Sequence, residues 1–158
     1  MSDRPTFRLV AISELKDHEE VDPKRVDELV ESIRHTQSVA DPVWVAFGTG
    51  VILNGHHRVA ALRRLGAQRV PAWVFDYHSA SVRLDRWSDG PPIPKEEVER
   101  RALQGDLFSP KTTRHRVEPS LPTRRTPLAT LLGSEPPPDH PRASRSPRRR
   151  SGSASEPT

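Results

Sequence analysis

The chain has no cysteine anywhere in its 158 residues. That excludes disulfides, thiolate metal sites and cysteine nucleophiles. It has no long apolar run, and its first residues, MSDRPTFRLVAI, hold no apolar core. Neither a signal peptide nor a membrane span is therefore expected, and a cytoplasmic location fits. There is no P-loop and no protein-kinase signature. No His or acidic pair has the usual i, i+4 metal-ligand spacing in the most histidine-rich stretch, so zinc is not expected. Aromatics are few, at 5 % of residues, and none occurs after Phe108.

Positive charge is present but unevenly spread. From Lys111 to Thr158 there are ten Lys+Arg against four Asp+Glu, a net +6, whereas the rest of the chain nets −2. The body is not a polycation of the kind that coats nucleic acid. Beyond about Val117 proline, serine and arginine dominate, and Leu128–Leu132 is the one apolar cluster. Such composition buries too little surface to offset its ordering entropy. The expectation is a domain over residues 1–116 and a disordered tail over 117–158. The SRSPRRRS stretch in that tail could contact an acidic surface such as nucleic acid, though a solvated tail is favoured.

The body reads as an α/β (α+β) fold, a small mixed sheet with packed helices. Phe7–Ile12 is a predicted strand. Asp22-Pro23 opens a helix, Asp as the cap and Pro at the first position. Val26, Leu29, Val30 and Ile33 then fall at i, i+3, i+4, i+7. Pro42–Phe47 and Val51–Leu53 form a hairpin about Gly48-Thr49-Gly50. Residues 69–77 are a strand in which Pro71 favours an early or edge position. Val82–Trp87 is a shorter strand, and Lys95–Gln104 a helix stopped by Gly105.

The chain is organised around VILNGHHRVAALRRLG, Val51–Gly66. An apolar strand turns at Asn54-Gly55 into a helix that opens on His56, His57 and Arg58. The free N–H groups of such a start, with the helix dipole, favour an anion. A capped amphipathic helix with a solvated basic end has the same pattern. Adjacent histidines lie about 100° apart around a helix, so at most one can face the core. Two further polar clusters are His18-Glu19-Glu20 and Thr112-Thr113-Arg114-His115, each at an element end and expected outside the core. Convergence of the three would suit phosphoryl transfer, which needs charge neutralisation, positioning and a base near the acceptor.

With those residues in view, the body resembles the ParB N-terminal/sulfiredoxin-like superfamily. RVDELVESIRHTQSVADPVWV and VILNGHHRVAALRRLGAQRVPAWVFDY carry the resemblance, which covers about residues 7–116. Within it, LKDHEEVDPKRV, NGHHR and the late GDLFSPKTTRH are most similar to the free serine kinases. The resemblance implies a small-molecule kinase that phosphorylates L-serine from ATP or ADP, with magnesium accompanying the nucleotide. It implies Glu19 as catalytic base. It gives phosphate binding to Asn54, Gly55, His56, His57 and Arg58, and substrate binding to Thr113, Arg114 and His115. Asn54 stands where the family usually has Asp; it keeps a carbonyl that could ligate metal and loses a charge. The sulfiredoxin branch needs a cysteine that is missing here. The alternative is a non-enzymatic ParB-like nucleotide-binding or DNA-associated regulatory module.

Overall fold

The fold is described from a computed structural model, for residues 4–87, 89–117 and 120–133. Four strands form the main sheet: β1 (Thr6–Ala11), β3 (Val43–Ala46), β4 (Ile52–Asn54) and β5 (Arg69–Phe75), in the order β1-β5-β3-β4. The β5–β3 pair is parallel, and β1–β5 and β3–β4 are antiparallel. The sheet is thus mixed, as the sequence predicts. Strand residues alternate between two cores. Val43, Val45, Ile52, Val70 and Ala72 face one core, with α1 (Pro23–Thr36) and α2 (His56–Arg64). Trp44, Ala46, Leu53, Trp73 and Phe75 face the other, with α3 (Lys95–Gln104) and Phe108.

The helices follow their local signals. Asp22 caps α1, its carboxylate accepting the Lys24 N–H at 3.0 Å, and Pro23 takes the first position. Its buried stripe is Val26, Val30 and Ile33. Gln37 ends it in the left-handed region, and Gly105 (φ 72°) ends α3 likewise. Gly66, at φ +83°, closes α2. Pro71 is third in β5, one residue before the β3 ladder begins at Ala72, yet β5 is central rather than an edge.

The expected boundary at residue 116 moves. β7 (Thr113–Val117) pairs with β6 (Val82–Arg86). Further on, β8 (Thr126–Pro127) pairs with β2 (Ser38–Val39), and α4 (Leu128–Leu132) follows. Leu128 and Leu131 enter the α1/α2 core, with Leu131 wholly buried. The expected disorder fails for residues 120–133 because the apolar surface that holds them belongs to the body, not to the segment itself. Residues 134–158, with the basic SRSPRRRS stretch, lie outside the described residues. Among the described residues no helix is long and apolar enough to cross a membrane.

Candidate active site

The three polar clusters converge on one cleft of about 1140 Å³. They arrive by different routes. Residues 16–19 run beside the sheet, where Lys16 bridges Val51 and Glu19 bridges Phe108. α2 starts where β4 ends. β7 returns from the α3 side. The expectation that the clusters lie outside the core is corrected: His18 is fully buried, and Glu19, His56, Thr113 and His115 are each at most 9 % exposed.

Glu19 accepts three hydrogen bonds. Its Oε2 accepts the Thr113 N–H at 2.7 Å and the Thr113 hydroxyl at 2.5 Å. Its Oε1 accepts the Lys111 N–H at 3.1 Å. Behind it, His18 Nε2 lies 2.8 Å from Thr113 Oγ1, and the His18 N–H donates to His56 Nε2 at 3.2 Å. His18 also packs edge-on against His56 and His115, and His115 Nε2 meets the Tyr77 hydroxyl at 2.9 Å. Burial holds all three imidazoles neutral. It lowers His18 to about 4 and His115 to about 3, and drives His56 well below the ordinary histidine range. Burial drives the Tyr77 phenol upward, so it too stays neutral.

At the turn, Gly55 sits at φ +104°, a left-handed conformation that an L side chain resists. A Cβ there would also lie 2.6 Å from Val43 Cγ1. α2 has no side-chain cap, and its first backbone bond runs from Val59 N–H to the Gly55 carbonyl. The N–H groups of the preceding positions thus have no partner within the helix. The two histidines divide as their spacing requires. His56 is buried, whereas His57 is half-buried and accepts the Asp22 N–H at 3.0 Å, tying the start of α2 to that of α1. The Arg58 guanidinium donates to the Asp41 and Pro42 backbone carbonyls, each at 2.9 Å, and to the Asn54 side-chain Oδ1 at 3.0 Å. Its side chain clamps the turn to the chain ahead of β3, and burial lowers its pKa.

That clamp bears on magnesium. The one ligating oxygen of Asn54 already faces a guanidinium, which disfavours a second cation beside it. Among the described residues no three His, Asp or Glu side chains gather as a metal set. The residues do not fit a protein-built magnesium site, and Asn54 does not fit the role of its ligand.

Of the late segment, Thr113 and His115 turn inward, whereas Arg114 is exposed and lines the cleft with its guanidinium 4.6 Å over the Trp87 ring. Sequence reasoning missed the part played by Tyr77, the β2–β8 pairing, and the fact that all three tryptophans border the cleft.

The fold thus places a buried carboxylate and an uncapped helix start on one cleft of a small mixed-sheet α/β domain. The ParB N-terminal domain family matches residues 5–84, and the chain belongs to that family. It is 37 % identical over 83 residues to an ATP-dependent L-serine kinase of Staphylothermus marinus, an alignment covering 50 % of this chain and 33 % of the relative. It is 32 % identical over 85 residues to the ADP-dependent L-serine kinase SerK of Thermococcus kodakarensis, covering 51 % of this chain and 35 % of that protein. The chain thus matches about a third of the length of these curated relatives. Its fold is similar to that of a free serine kinase in complex with AMP, with a TM-score of 0.70 at 19 % identity, over 83 % of this chain and 95 % of the other.

Proposed function

We propose that this domain is a phosphotransferase that moves a phosphoryl group from ATP or ADP to free L-serine, giving O-phosphoserine. The observation that carries the reading is Glu19: a carboxylate at most 9 % exposed, gripped by Thr113 and Lys111, on the same cleft as the open start of α2. The names of the relatives, serine kinases using ATP or ADP, support the substrate pair. Glu19 takes the proton as the serine Oγ–H bond breaks. The Oγ–P bond forms while the bond from the terminal phosphorus to its bridging oxygen breaks, and ADP or AMP leaves with that electron pair. Backbone N–H groups at Gly55–Arg58 hold phosphate oxygens, with the α2 dipole behind them. Arg114, exposed at the cleft, suits the serine carboxylate, because a guanidinium matches that group in two parallel hydrogen bonds. Magnesium, for which no set of described residues fits as ligands, would come with the nucleotide and offset the charge of its phosphates.

The test is direct. Purified protein with magnesium and L-serine receives ATP and ADP in separate reactions, and O-phosphoserine is sought by mass spectrometry. Product with one donor is expected and identifies that donor. Folded protein that yields none with either would leave the alternative, a nucleotide-binding module without catalysis, to which the Asn54–Arg58 pairing already lends some support.

A further inference from the structure

The resemblance places Thr113 on the substrate, yet its side chain is spent inside the protein. The Thr113 hydroxyl has one proton and two polar neighbours. It gives that proton to Glu19 Oε2, so toward His18 it can only accept. His18 therefore donates from Nε2–H. Its Nδ1 is then a bare acceptor without a hydrogen-bond partner of good geometry, and the nearby Ile52 backbone is the competing pull toward an Nδ1–H. The result is a directed chain, His18 to Thr113 to Glu19, in which every member is at most 9 % exposed.

The chain also makes the two carboxylate oxygens unequal. Each has two lone-pair sites. Oε2 receives two donors, both from Thr113, whereas Oε1 receives one, from the Lys111 N–H. We infer that Thr113 is a positioning residue which, backed by His18, turns Glu19 so that Oε1 is the oxygen left to take the acceptor's proton. This inference rests on the phosphotransferase reading. In the step above, the serine proton goes to Oε1, and the Thr113 proton stays on its own oxygen.

Two readouts test it on full-length protein. The first is the His18 tautomer by long-range ¹H–¹⁵N correlation at neutral pH. Wild type and Thr113→Ser are expected to show Nε2–H. Thr113→Val, which keeps shape and strand preference but offers no acceptor, is expected to lose that tautomer. The second is kinetics. Thr113→Val should lower kcat about a hundredfold, the scale of a base displaced by about 1 Å, with KM for serine and nucleotide within threefold. Thr113→Ser should restore kcat to within about fivefold. A raised serine KM at unchanged kcat would make Thr113 a substrate contact and overturn the inference. So would an Nδ1–H tautomer in the wild type. A wild type that makes no O-phosphoserine would remove the kinase reading, and the tautomers would still decide the hydrogen-bond chain.

Discussion

Two helices begin at the cleft, joined by the 3.0 Å hydrogen bond from the Asp22 N–H to His57, and they begin in opposite ways. α1 is closed: the Asp22 carboxylate takes the Lys24 N–H, and Pro23 has no N–H to offer. α2 is open: Gly55 has no side chain to cap it, and its first side chains turn aside, His56 into the core and His57 to Asp22. Both starts have the same dipole. On the proposed reading, the difference teaches that an anion site can be made by withholding a cap as much as by adding basic residues. Arg58, the most obvious cation of the motif, spends its known hydrogen bonds on Asp41, Pro42 and Asn54 and holds the turn in shape.

The sharpest way to break this account is at the base beside the open start. Glu19→Gln should lower kcat for serine phosphorylation by about a thousandfold, within the range of general-base contributions. ADP affinity by calorimetry should stay within threefold, because on the proposed reading the phosphates rest on α2 and not on Glu19. Unchanged turnover would remove Glu19 from its role.

Acid comes next. The folded pKa of His18 is about 4 and its ordinary value 6.5. The unfolded chain thus binds a proton that the fold refuses, and stability is full above pH 6.5 and falls as pH drops toward 4. His18 alone accounts for a loss on the order of 3 kcal/mol. His56 and His115 shift in the same direction. A charged His56 would also place a cation at the positive end of α2. Denaturation midpoints measured from pH 7.5 to 4.5 should fall steadily; a flat profile would mean the imidazoles are not held neutral.

Closing the open start is a smaller perturbation. Gly55→Ala puts a methyl against Val43 and strains a φ of +104°. It should cost about 2 kcal/mol and weaken ADP binding, both measurable by thermal shift with and without nucleotide. Opening the closed start is smaller still. Asp22→Ala should cost about 1 kcal/mol in urea denaturation.

Much of this comparison was legible before the structure. The caps of α1, the stripe of Val26, Val30 and Ile33, the hairpin and the Gly55 turn are local signals, and each chain segment contains its own reason to fold. The rest was not, because its reason lies elsewhere in the chain. β2 and β8 have two residues each and exist only as each other's partner. Leu128 and Leu131 make a short helix that looks unable to build a core, and does not need to, since α1 and α2 supply one. His18 reads as a polar residue on the approach to a helix. Its burial depends on Thr113, 95 positions later, and on His56 and His115. Three clusters could be seen in order along the chain; that two of them interlock through Thr113 and Glu19 could not.

The measurement that tests the central claim most directly is an amide ¹H–¹⁵N titration with ADP. The account predicts large shifts at His56, His57 and Arg58, at the open start of α2, and small ones at Lys24 and Arg25, at the closed start of α1. Shifts of equal size at both starts, or confined to α1, would contradict it.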